Sequence, residues 1–181
     1  PEDAVIFTDV GWNKNGVAQE FDITIPGTIH HSSGLATMGF GPSAVLGGKV
    51  AAPDKIVINL TGDGGFGINP SCLATAVEHG IACTWVVMNN SAFGTIAGLE
   101  NANYKTKFGT VFYKPDGERY TICWADVAKS YGIESICVNS AEEFKPALEK
   151  AIAANKEGRP FLVEAPMENI VVPTPGCWNI N

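Results

Sequence analysis

Basic charge, paired cysteines and long apolar runs are scarce in this sequence, and each shortage removes a class of function. Lys and Arg number 12 against 19 Asp and Glu, giving a net charge of −7 and a pI near 4.9. No basic stripe offsets that balance, which excludes a nucleic-acid footprint. An anionic ligand would then need local help from a metal. The five cysteines, Cys72, Cys83, Cys123, Cys137 and Cys177, include no C-x-x-C pair, so structural zinc and iron–sulfur spacings are missing. Most read as small buried hydrophobes of a reducing compartment. No apolar run reaches the roughly 18 residues needed to cross a membrane, and no signal peptide is evident, so the expected setting is the cytoplasm. Internal repeats and low-complexity tracts are lacking as well.

What is present suits a substantial core. At 181 residues, 45% hydrophobic and 17% charged, the chain reads as one α/β domain over 1–181. It opens on Pro1-Glu2-Asp3 and stops at Trp178-Asn179-Ile180-Asn181 without an evident cap, which reads as a fragment or subunit of a larger enzyme. Short β-branched runs at 5–8, 55–60, 83–88, 135–138 and 160–164 have the character of strands buried on both faces. Helices are expected at 15–21, 43–51, 70–80, 91–99, 124–131 and 140–155. Pro42 and Pro70 fall in first turns, and Gly80 serves as a stop. Gly47-Gly48 should let the second of these helices pack closely. Ser140 with Glu143 three residues on has the spacing of a capping box. Residues 25–27 and 30–34, the latter including His30-His31, read as loop, and 100–120 as a long excursion of the kind that lines a site or an interface. Alternating strands and helices predict a doubly wound, mainly parallel sheet with helices on both faces.

The chemistry concentrates between residues 61 and 90. Thr61-Gly62-Asp63-Gly64-Gly65 interrupts a strand at its carboxyl end. Glycines beside an aspartate let the backbone approach a bulky anion while the carboxylate stays free for a hard cation. Between Gly64 and Asn89-Asn90 lie 24 residues, 65 to 88, enough for one crossover, so both motifs end neighbouring strands. Ligands of open α/β sheets bind at such ends. Asp63 read alone is an ordinary turn residue, and Met38 alone an ordinary core residue. His30 and His31 are either proton shuttles or solvated loop residues. Asn69 either lines the site or starts a helix, and Lys105 and Lys107 are either solvated or face an anionic substrate. Cys177 beside Trp178 reads as packing.

Gly62-Asp63-Gly64 with Asn89-Asn90 resembles the thiamine diphosphate signature. Thr8-Asp9-Val10-Gly11, the run from Gly34 through Ala36, Met38 and Gly39 to Gly41, and Leu73-Ala74-Thr75-Ala76 resemble the pyrophosphate-binding domain of the acetolactate synthase and glyoxylate carboligase group, over about residues 4–166. The resemblance implies Mg²⁺ held by Asp63, Asn90 and the Ala92 carbonyl. It also implies a cofactor site formed by Asp9, Gly11, Ala36, Met38, Gly62, Asp63, Gly64, Gly65, Asn90, Ala92, Phe93 and Gly94. Met38 would wedge the aminopyrimidine toward the thiazolium, the Ala36 carbonyl would accept from the 4′-amino group, and His31 is a further catalytic candidate. Cys72 departs from the glutamate common at its position, which bears on subfamily rather than on cofactor binding. Decarboxylation or carboligation of a 2-oxo acid is implied, with a pyrimidine-binding domain of the same or another chain supplying the activating carboxylate in a homo-oligomer, dimer or tetramer. The alternatives are the small β subunit of a two-chain 2-oxo acid decarboxylase and a non-catalytic diphosphate-binding homologue.

Overall fold

β-Branched and aromatic runs form the strands of a six-stranded, all-parallel sheet in the computed structural model, which describes residues 1–169. The strands are β1 Val5–Thr8, β2 Ile29–His31, β3 Val57–Gly62, β4 Thr84–Asn89, β5 Glu134–Cys137 and β6 Phe161–Pro166, in spatial order β2-β1-β3-β4-β6-β5. The helices are α1 Trp12–Glu20, α2 Phe40–Ala51, α3 Asp63–Phe66, α4 Cys72–His79, α5 Gly94–Tyr104, α6 Trp124–Ser130 and α7 Ala141–Lys156.

Two cores lie on opposite faces of this sheet. Alternate strand residues point to opposite sides. Phe7, Val57, Trp85, Val87 and Leu162 therefore pack with Val45, Leu73, Ala76, Ala125 and Ala128 of α2, α4 and α6. Ile58, Val86, Phe161 and Val163 pack with Ala147, Ala151 and Ala154 of α7. This is the doubly wound architecture expected. The indole N–H of Trp85, fully buried, donates to the carbonyl of Pro42 at 3.0 Å and fastens α2 to the sheet. Cys72 and Cys83 are core residues, and burial pushes their thiols far up, Cys72 to about 12.

Several local expectations change. Ile29–His31 is a strand, not loop: it pairs in register with Ile6–Thr8 at the sheet edge, so backbone pairing overrides its polar side chains. Asp63 opens a helical turn, α3, rather than sitting in a loop. Helix α1 starts three residues earlier than predicted, and α2 begins at Phe40. Helix α5 starts at Gly94 rather than at Ser91, because Ser91 has φ 51° and residues 91–93 instead run antiparallel to 110–112. The Ser140 capping box does not close on Ser140: the Glu143 carboxylate accepts from the N–H of Asn139 at 2.8 Å, one residue upstream. Cys177 and Trp178 lie outside the described residues.

Candidate active site at the switch point

The chain leaves β1 toward β2 on one side and returns to β3 on the other. Between the carboxyl ends of β1 and β3 the strand order reverses, which opens the crevice where doubly wound sheets bind ligands. Asp9, Gly11, Gly62 and Asp63 leave these strands directly into it.

Asp63 is 4% exposed, and its Oδ1 is buried without a hydrogen-bond partner among the described residues. Burial raises its pKa to about 6, although the backbone N–H groups of Asn90, Gly64 and Ala92 favour the charged form. An ionisable oxygen left in this way suits a cation. Across from it, the N–H of Phe93 donates to the Thr110 carbonyl (2.8 Å) and that of Phe112 to the Ser91 carbonyl (3.1 Å). In an extended segment, N–H and C=O of one residue point to the same side and alternate along the chain. The Ala92 N–H and carbonyl therefore face away from the hairpin, toward Asp63. Arg119 Nη2 donates to the carbonyls of Asn90 (2.7 Å) and Ser91 (3.2 Å) and lies over the Tyr113 ring. Asn90 Nδ2 donates to Asn169 Oδ1 at 3.2 Å. The long excursion is thus a clamp on the 90–92 turn.

The opposite wall is built from α2. Asp9 is 1% exposed; Oδ1 accepts from Val10 (2.8 Å) and Gly39 (3.2 Å), and Oδ2 from Gly41 (2.9 Å). Its carboxylate is spent on the start of α2, where an anion is favoured, and so holds Met38 beside the crevice. A Cβ at Gly64 would lie 2.8 Å from the Phe93 ring and 3.5 Å from Met38 Cε, so glycine there lets Phe93 and Met38 meet the motif. Gly65 is close to Asp9 in the same manner, with a Cβ 2.5 Å from Oδ1. Ala36 has φ 50°, a conformation costly for a residue with a Cβ. His31 ends β2, exposed, at the crevice end of the sheet, whereas His30 stacks on Phe7 with ring centroids 4.8 Å apart. Asn69 donates to Ser43 Oγ at 2.9 Å and joins α2 to the start of α4. Lys105 and Lys107 are exposed.

Three residues that the motifs did not single out complete the crevice. Trp12 Nε1, Asn13 Oδ1 and Thr95 Oγ1 are buried without partners among the described residues. A Cβ at Gly11 would lie 3.6 Å from Thr95 Oγ1 and 3.8 Å from Asn13 Nδ2, and one at Gly94 would lie 3.5 Å from Trp12 Cδ1 and 2.6 Å from Asn90 Nδ2. Two donors and two acceptors, counting Asp63, thus line one glycine-walled space.

Comparison with known proteins agrees with this geometry. Residues 9–165 match the family described as "Thiamine pyrophosphate enzyme, C-terminal TPP binding domain". The chain is 34% identical to a probable acetolactate synthase large subunit of Methanocaldococcus jannaschii, over 97% of this chain and 29% of that protein. It is 33% identical to the 3D-(3,5/4)-trihydroxycyclohexane-1,2-dione hydrolase of Bacillus velezensis, over 83% of this chain and 24% of that protein. The chain therefore spans about a quarter to three tenths of these relatives' length. In structure it is similar to a thiamine diphosphate-dependent 4-hydroxybenzoylformate decarboxylase of Rhodococcus jostii RHA1, with a TM-score of 0.79 and 25% identity over 93% of this chain and 30% of that one. The span of the match and these identities show that the chain belongs to the thiamine pyrophosphate enzymes and carries their C-terminal TPP-binding domain.

Proposed function

We propose that the crevice binds the diphosphate of thiamine diphosphate through Mg²⁺, in an acetolactate-synthase-like enzyme that decarboxylates or carboligates 2-oxo acids. The observation that carries the reading is the buried Asp63 Oδ1, without a partner among the described residues and facing the turn of Asn90 and Ala92. Asp63, the Asn90 side-chain amide oxygen and the Ala92 carbonyl offer a hard cation three oxygens of different kinds, and diphosphate oxygens and water complete such a shell. Trp12 Nε1–H and the Thr95 hydroxyl are donors suited to phosphate oxygens, and Gly11, Gly62, Gly64, Gly65 and Gly94 keep the walls clear. Phe93 packs edge-on against Phe112, ring centroids 5.0 Å apart, closing the side away from α2.

When bound, the cofactor supplies the electron sink that a 2-oxo acid needs to lose carbon dioxide. This chain's part is to bind and orient. Met38 would form an adaptable wedge over the motif, and the Ala36 carbonyl would accept an N–H from the cofactor's aminopyrimidine. His31, at the rim, is a candidate to move a substrate proton. The activating carboxylate is assigned to a pyrimidine-binding domain of this or another chain, within a dimer or tetramer. Leu35 (91% exposed), Tyr104 (79%) and Phe108 (88%) are exposed, as are Ile68, Ile96 and Leu99, and they lie in the segments next in sequence to the motif residues, apolar side chains suited to such a domain.

Calorimetry of the complete protein with thiamine diphosphate tests this. Binding is expected to require Mg²⁺. Asp63→Ala should lose more than the roughly 10–100-fold that removal of an outer-shell partner costs. Unchanged affinity in the variant refutes the assignment.

A further inference from the structure

Glu164 is 1% exposed in β6, a strand enclosed by β4 and β5. Its hydrogen-bond partners among the described residues are neutral. Oε1 accepts from Asn89 Nδ2 at 2.7 Å, and Oε2 from the Ala125 N–H at 2.8 Å and the Cys123 thiol at 3.6 Å. A carboxylate buried with no cation against it is costly, and an apolar residue would pack there at less expense. Its placement is explained by what Asn89 does next. That amide also donates to the Ile122 carbonyl (2.9 Å) and to Thr121 Oγ1 (3.3 Å), so its nitrogen is held on three sides. With the nitrogen fixed, Oδ1 is turned to accept from the Ser91 N–H at 3.2 Å. Ser91 has φ 51°, a left-handed conformation that a non-glycine residue keeps only when its surroundings hold it there. That bend follows β4 directly and brings the backbone of Asn90 and Ala92 to Asp63, whose carboxylate their N–H groups face.

The geometry points to Glu164 as a positioning residue for the metal-binding turn, acting through the Asn89 amide on the backbone of Ser91. The assignment rests on the proposed Mg²⁺–diphosphate reading of the site. Glu164 touches neither metal nor cofactor. Its rival role is structural: it also receives the Ala125 N–H at the start of α6, and a variant that merely loosened the core would lose stability alone.

Glu164→Gln separates the two roles. Both carboxylate oxygens face donors, so a glutamine amide must turn its NH₂ group against either Asn89 or Ala125. The control is Val163→Ala, which removes core contacts on the opposite sheet face, among the α7 residues. In the complete protein with saturating thiamine diphosphate, Glu164→Gln is expected to weaken Mg²⁺ binding by roughly 10–100-fold, the range for loss of an outer-shell partner. The KM for the cofactor should rise while kcat at saturating Mg²⁺ holds. Val163→Ala should lower Tm with Mg²⁺ affinity unchanged. Asn89→Ala, which cuts the relay and leaves Ala125 bonded to Glu164, should repeat the Mg²⁺ loss, and it carries the test if Glu164→Gln does not fold. Mg²⁺ affinities in the Glu164 and Asn89 variants that match Val163→Ala overturn the positioning role. A wild-type protein that binds the cofactor without regard to Mg²⁺ overturns the site reading itself, and this assignment with it.

Discussion

Asp63→Asn should make the cofactor-free protein more stable relative to wild type as pH rises, because the native fold strains against the charge its ligand requires. Burial lifts the carboxyl from 3.8 to about 6, which corresponds to about 3 kcal/mol. The folded pKa is raised, so between pH 4 and 6 the native state keeps a proton that the unfolded chain has already released. Stability from this group is therefore fully present below about pH 4, falls through the window, and is at its lowest above pH 6. An asparagine cannot ionise. It carries its own fixed penalty, since its NH₂ group, set in the partnerless place of Oδ1 while its oxygen keeps the backbone N–H groups, stays buried without an acceptor, but that penalty does not change with pH. The gap between variant and wild type should thus move by about 3 kcal/mol between pH 4 and 8, or about 6–12 °C in Tm for a chain of this size. Thermal unfolding of both proteins in chelator at a series of pH values measures it, and taking the difference cancels the other titrating groups. Mg²⁺ with thiamine diphosphate should then raise the wild-type Tm and leave the variant's where it was, by linkage. A gap that stays constant from pH 4 to 8 would falsify the reading of Asp63 as a buried carboxylate lacking its cation.

Arg119→Ala removes the clamp on the Asn90 and Ser91 carbonyls. With partly exposed bonds worth about 1 kcal/mol, calorimetry should show Mg²⁺ affinity lower by about 5-fold while Tm falls by no more than about 2–4 °C, and an unchanged affinity would show the clamp to be idle. Gly48→Ala and Gly47→Ala, neighbours in α2, should act in opposite directions. A Cβ at Gly48 would lie 2.2 Å from Phe7 Cε2, whereas nothing lies within 4 Å of one at Gly47. Overpacking should cost the first about 1–3 kcal/mol, and the second should gain up to about 1 kcal/mol from helix propensity. Denaturant unfolding gives both values, and two changes of the same sign would contradict the packing described.

The layered fold was legible because its strands announce themselves. Residues 57–62 and 84–89 are β-branched and buried on both faces, and capable of little else. Glycine-flanked Asp63 and paired Asn89-Asn90 carried the site for a related reason: few other functions demand that spacing. What stayed hidden was tertiary. His30-His31 looks like a polar loop, and only the free edge of β1 makes it a strand. Helix α5 looked able to start at Ser91, but pairing of 91–93 with 110–112 takes that backbone first. Trp12, Asn13 and Thr95 carry no motif at all; Trp12 and Asn13 are more than 80 positions from Thr95 in the chain, and only the fold brings their polar atoms to one crevice. Asn89 was legible as part of the signature, yet its partner Glu164 sits in an otherwise apolar strand with nothing local to mark its task.

The distribution of unsatisfied groups gives the same answer as the motif by an independent route. Six buried side-chain atoms lack partners among the described residues: Thr8 Oγ1, Trp12 Nε1, Asn13 Oδ1, Asn59 Oδ1, Asp63 Oδ1 and Thr95 Oγ1. All six belong to β1, β3 or the segments α1, α3 and α5 that leave or face their carboxyl ends. Two of the three non-glycine residues with positive φ among the described residues, Ala36 and Ser91, flank the same crevice. The sheet around β4 and β6 meets its own needs, even at Glu164, where three donors surround a buried carboxylate. Unpaired polar atoms and left-handed residues each cost of order 1–3 kcal/mol, and a fold that gathers them at one point keeps that point poised for a ligand. A purely structural diphosphate-like cleft would need the donors but not the buried acid. The proposed cation site accounts for Asp63: its buried Oδ1 lacks a partner among the described residues, and the free energy this costs is the counterpart of the affinity the proposal assigns to it.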